Sequence, residues 1–116
     1  MTETPTRVTV SKDRAELTLA FETIDAFTLP AEMLRVMSPS AEVQGHSPEQ
    51  RKIVGGKRNI TITGVAPVGH YAIRITFSDG HDTGLFTWPY LAELDADRDS
   101  KWAGYLDELS QKGMSR

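Results

Sequence analysis

The sequence predicts an α+β fold, a mostly antiparallel sheet with short helices in a single compact domain. Three observations carry this. Apolar residues alternate with period two along several short runs, and Trp102, Tyr105, Leu106 and Leu109 recur at helical spacing. The chain has 116 residues, 39% of them apolar, which suffices for one core.

Each element follows from local chemistry. Residues 1–7 read as a flexible tail. Val8 and Val10 alternate before SKDR, and Leu17, Leu19 and Phe21 alternate after it, which predicts a hairpin. Phe27 and Leu29 suit a short strand. Pro30 fits a first helical position, and Ala31–Met37 makes two turns before SPS ends them. From Ser38 to Asn59 there are few regular signals, with Pro48, Gly55 and Gly56 inside, so a long loop is expected there; connections are usually about 4–6 residues.

Ile60 and Ile62 open a second β region, which APVG at 66–69 interrupts as a turn. Tyr71, Ile73, Ile75 and Phe77 form the clearest alternation. Asp79-Gly80 suits a two-residue type I′ turn, which sets Ser78 opposite His81, Phe77 opposite Asp82, Ile75 opposite Gly84, Ile73 opposite Phe86 and Tyr71 opposite Trp88. Tyr71, Ile73, Ile75, Phe77, Phe86 and Trp88 then share the inner face, covered in part by Trp102, Tyr105 and Leu109. The other face carries Ser78/His81, Thr76/Thr83, Arg74/Leu85 and Ala72/Thr87. Pro89–Leu94 predicts a short helix, ELDADRDSKW a solvated acidic link whose Asp residues cap the last helix, and Gly113 the stop of that helix.

Composition excludes several functions. Thirteen basic against 16 acidic residues give −3, and no aromatic residue is interleaved with the basic cluster, which argues against nucleic acid. With no cysteine there is no disulfide, thiolate nucleophile or Cys-ligated metal. MTETPTRVTV lacks the features of a signal peptide, and no apolar run could span a bilayer. A cytoplasmic protein is expected, with no membrane role. Neither G-x-S-x-G, H-E-x-x-H nor G-x-G-x-x-G occurs.

Two groups of residues could carry chemistry. His81 is either a hairpin-end imidazole bonded to Ser78 or loop backbone, or a metal ligand. As a ligand in a non-haem iron site it needs His46 or His70 and a carboxylate such as Asp79. On a regular hairpin, His81 and Asp82 point to opposite faces and cannot share one metal; Asp82 caps turn amides. The second group is QRKIVGGKRN, where Arg51, Lys52, Lys57 and Arg58 flank a Gly-Gly pair. From Gln50 to Ser78 there are five basic residues and no acidic one. This is not a phosphate loop of the Walker type, since Arg58 stands at the Ser/Thr position. It suits either a solvated loop or a site for an anion or an acidic partner.

The stretches LPAEMLRVMSPSAEVQGH, IVGGKRNITI, PVGHYAIRITFSDGHDTGLFTWPYL and WAGYLDEL, in that order, resemble the DUF971 family, related to the N-terminal domain of gamma-butyrobetaine hydroxylase. The resemblance covers residues 8–113. It implies an α+β accessory module that stands alone or is fused to larger proteins, including P-loop iron–sulfur carriers in plants. In the hydroxylases it implies a structural zinc on three cysteines and one histidine. Those positions match Ser38, Ser40, Val43 and His81 here, after the helix end Leu34-Arg35, so the zinc site is expected to be lost and no cofactor is expected. The hydroxylase catalytic domain is absent from the sequence.

The expectation is therefore a non-catalytic accessory or protein-interaction domain, with another protein as partner and a link to iron–sulfur or metal-protein biogenesis. The alternatives are a small metal-binding domain, iron included, using His and carboxylate ligands, and a small-anion-binding domain.

Overall fold

A computed structural model describes residues 3–39 and 53–116. Two antiparallel three-stranded sheets and three helices form the described part. In the first sheet β1 (Arg7–Val10), β2 (Glu16–Ala20) and β3 (Phe27–Pro30) lie in the order β1-β2-β3, and α1 (Ala31–Val36) follows directly. In the second, β4 (Ile62–Val68), β5 (Ala72–Phe77) and β6 (Leu85–Thr87) lie in the order β4-β5-β6, followed by α2 (Trp88–Ala96) and α3 (Arg98–Gln111).

The α+β expectation and the first hairpin hold. Leu17 and Leu19 alternate inward and are fully buried, as period two requires. Arg14, in the turn before them, has φ +61°, and its backbone carbonyl accepts the Ile62 amide at 2.8 Å while its Nη1 donates to the Ile62 carbonyl at 3.3 Å. One turn thus ties the first sheet to the second. The long loop's residues 40–52, with His46, Arg51 and Lys52, lie outside the described residues.

The inner face of the second sheet is largely as the alternation predicts. Ile73, Ile75, Phe77 and Phe86 are buried, Tyr105 and Leu109 pack on the same core, and Trp88 and Trp102 are half-buried against it. Tyr71 departs from this face and is 55% exposed, because it precedes the first residue of β5 and its ring lies over Gly69. APVG is not a turn. Ala66, Pro67 and Val68 belong to β4, and the chain reverses over residues 69–71, where Gly69 supplies φ +55°. Pro67 is tolerated because β4 is an edge strand.

The β5–β6 hairpin keeps the expected register at its base and departs from it toward the tip. Ala72/Thr87, Ile73/Phe86 and Arg74/Leu85 pair as the turn rule predicts. At the tip, however, the Gly80 amide donates to the Phe77 carbonyl at 2.9 Å and the Phe77 amide to the His81 carbonyl at 3.0 Å. The loop is therefore Ser78-Asp79-Gly80, with Gly80 left-handed at φ +90°, and not the two-residue turn. A one-residue change of register reverses side-chain direction. His81 accordingly turns inward and is buried, while Asp82 is exposed, the opposite of the expected faces.

The acidic stretch ELDADRDSKW is helical except at Asp97, and does not form a link. Asp97 occupies the cap position of α3 without a side-chain cap bond; Asp95 pairs instead with Arg98 at 3.0 Å. Thr87 caps α2, its Oγ1 accepting the Tyr90 amide at 3.3 Å.

Candidate functional site

Asp79, on the three-residue loop, is the centre of a charged node. Its Oδ2 accepts from Arg35 Nε at 2.8 Å and from Lys57 Nζ at 2.7 Å, and its Oδ1 accepts the His81 amide at 3.1 Å. Burial pushes the Asp79 carboxyl up, but Lys57, the His81 amide and Arg35 together outweigh it and hold the group well below the usual carboxylate range. Arg35 comes from the end of α1, Lys57 from the segment after Gly55-Gly56, so three distant stretches meet on one carboxylate. Arg35 Nη1 is buried and has no partner among the described residues.

This geometry changes the reading of two sequence candidates. Both oxygens of Asp79 are engaged, Oδ2 by Arg35 and Lys57 and Oδ1 by the His81 amide. Lys57 is only 22% exposed at its side chain and is held in the node, not free for a partner. Arg58, in contrast, is exposed and bonds to none of the described residues.

Beside the node lies a cleft of ≈ 510 Å³. Gly56, Lys57, Arg58 and Asn59 line one side, Ser78 and Asp79 the hairpin side, and Ser115 and Arg116 a third. Three cations line this cleft in a chain whose net charge is −3: Lys57 pairs with Asp79 and Arg116 with Glu32, which leaves Arg58 without an acidic partner among the described residues. Arg116 is the member that sequence reasoning missed. Its only signal was a basic residue beyond the helix stop, which does not by itself specify a position.

His81 sits behind the hairpin tip. Its Nε2 lies 3.0 Å from Ser38 Oγ, both side chains are buried, and the imidazole packs 6.1 Å from the Phe77 ring. Gly84 makes the space, since a Cβ there would overlap Ser38 Oγ. The expected bond to Ser78 is not made; Ser78 Oγ accepts the Thr61 amide at 3.0 Å. His70 lies at the opposite end of β5, about 20 Å away at ~3.3 Å per residue, so it cannot join His81 and Asp79 on one metal. His70 is exposed and its carbonyl accepts from Trp88 Nε1 at 2.8 Å. No group of three His, Cys, Asp or Glu that could hold a metal occurs among the described residues.

A family model described as gamma-butyrobetaine hydroxylase-like, N-terminal, matches residues 8–92. The chain belongs to this family. Two solution NMR structures are similar to it over its full length, each with a TM-score of 0.84, at 48% and 38% identity and with 91% and 86% of their own chains covered. The crystal structure of a DUF971-family protein of unknown function from Acidithiobacillus ferrooxidans matches 80% of this chain and 93% of its own, at 36% identity and a TM-score of 0.66. No curated protein matches.

Membership sharpens the meaning of the Ser38–His81 contact. These are two of the positions that the resemblance assigns to zinc ligands in the hydroxylases. The residues do not fit that ion: Ser38 supplies a neutral hydroxyl already bonded to the imidazole, and Val43 has no donor atom. No helix among the described residues is long and apolar enough to cross a membrane.

Proposed function

We propose that this chain is a non-catalytic accessory domain that docks another protein through the basic cleft, taking an acidic segment of that partner. The observation that carries this is Arg58, exposed and without a bonding partner among the described residues, on the rim of a cleft whose other two cations, Lys57 and Arg116, are already paired with Asp79 and Glu32. An exposed cation placed like Arg58 attracts anions and steers encounter without contributing to the fold. Arg51 and Lys52 extend the same acid-free run in sequence. Partners in iron–sulfur or metal-protein assembly are the class that the family resemblance implies, and no resident metal is required for this role.

The test is binding of a synthetic Glu-rich peptide to wild type and to Arg58→Glu, at low and at physiological salt. Wild type should bind more weakly as salt rises, and Arg58→Glu should lose about tenfold in affinity, the scale of a close charge pair at an interface. Equal affinity of the two proteins at low salt would remove the docking reading. Lys57→Glu is a poorer probe, because it also sets a carboxylate against Asp79 and so disturbs folding.

A further inference from the structure

Beyond α3 the chain makes a short, heavily anchored strap. Gly113, with φ +66°, ends the helix; its amide donates to the Ser110 carbonyl at 3.2 Å and that of Met114 to Leu109 at 2.8 Å, which turns the chain back. Three contacts then hold Met114–Arg116. The Ser115 carbonyl accepts the Gly56 amide at 2.9 Å. Arg116 grips Glu32 of α1 with Nε at 3.0 Å and Nη2 at 2.6 Å, and its guanidinium lies 5.5 Å from the centre of the Trp102 ring. Glu32 is 7% exposed, so releasing Arg116 would leave a buried carboxylate without its cation.

The other partner of the strap is the Gly-Gly pair. Two adjacent glycines have more backbone freedom than any other dipeptide, and Gly56 sits at φ +71° with open space where a Cβ would be. Their course must be fixed from outside. On one side the Tyr105 hydroxyl donates to the Val54 carbonyl at 2.5 Å; on the other, Lys57 is tied to Asp79. Between these anchors the Gly56–Ser115 bond fixes the peptide that leads to Lys57 and Arg58. Gly55 allows this approach, since a Cβ there would lie 2.7 Å from the Ser115 carbonyl oxygen.

We propose that Met114–Arg116 is a positioning element for the basic cleft: seated, the strap fixes Gly55-Gly56 and aims Arg58 at the acidic segment, and unseated it releases them. This rests on the docking reading and adds what controls it. Gly55 and Ser115 act through backbone geometry, whereas Arg116 anchors the strap through Glu32.

Gly55→Ala tests the idea, because it displaces the strap by overlap and changes no charge. In the full chain, with the Glu-rich peptide as probe, Gly55→Ala and Arg116→Ala should each weaken binding by about tenfold, the scale of ordinary coupling between sites. Hydrogen exchange at the Gly56 amide should quicken in both, and Arg116→Lys should recover part of the loss. The double variant Glu32→Gln with Arg116→Met removes the buried charge along with its partner, and serves if Gly55→Ala does not fold. A variant whose Gly56 amide exchanges fast yet binds the peptide like wild type overturns the proposal, as does a Gly55→Ala protein whose Gly56 amide stays protected. If wild type itself binds no acidic peptide, the docking reading falls separately. The strap is then judged by the Lys57 ammonium protons, whose exchange must quicken in Gly55→Ala; if they stay protected, the positioning role fails too.

Discussion

Asp79 shows how much one carboxylate can hold in place. Asp79→Asn keeps the side-chain shape but leaves Arg35 and Lys57 without a counter-charge, and Arg35 is only 12% exposed at its side chain. We expect a loss of about 1–3 kcal/mol in urea denaturation at pH 7, the scale for stranding buried polar or charged groups. The pH dependence has a definite sign. The folded carboxyl titrates below its ordinary value of 3.8, so its contribution is present above that value and is lost as pH falls toward the lower, folded one. The stability difference between wild type and Asp79→Asn should stay flat from about pH 8 to pH 5 and shrink below about pH 4. A difference that grew on acidification would contradict the ion-pair assignment. The sequence named Asp79 as a weak metal candidate because composition alone cannot show which cations a loop will meet. Arg35 and Lys57 are 44 and 22 residues away from it in sequence.

Among elements, the β5–β6 hairpin separates what a sequence can specify from what it leaves open. Period-two alternation and the pairing of Ile73 with Phe86 were legible, because a slip would expose every apolar side chain at once. The tip was not, since Asp-Gly serves both the two-residue turn and the three-residue loop with a left-handed glycine, and the choice depends on long-range contacts at His81 and Asp79. The helices were legible where a start or stop residue was strong, as at Pro89 and Gly113, though the Thr87 cap was not read. They were not legible across Glu93–Trp102, where spaced Asp residues resembled a solvated link and only Asp97 interrupts the helices. Ile75, fully buried in the centre of the sheet, offers the direct check. Ile75→Ala should cost about 2–5 kcal/mol in chemical denaturation, the range for large-to-small core substitutions. A cost under about half a kilocalorie per mole, the usual scale of surface changes, would refute the face assignment.

For the molecule as a whole, metal dependence and association are the testable properties. Folding energy that comes from a bound ion disappears with the ion. At Ser38, bonded to His81 with Gly84 giving it room, a hydroxyl stands where such a ligand set would need a thiolate. Treatment with a chelator should therefore leave the thermal midpoint unchanged, and a fall of many degrees would reveal a structural metal. That Ser38, Ser40 and Val43 supply no thiolate is plain from the sequence, whereas the packing of Ser38 against His81 as a buried hydroxyl–imidazole pair depends on the inward turn of His81 at the tip. Pro67 has a consequence on a different axis. An edge strand normally offers a continuous row of amide donors to any second copy that drifts alongside, and β4 is such an edge. Proline has no amide hydrogen, so the row is broken in the outer half of the strand. In a crowded solution that gap is a colloidal safeguard: it denies a neighbouring chain the template on which an intermolecular ladder would grow.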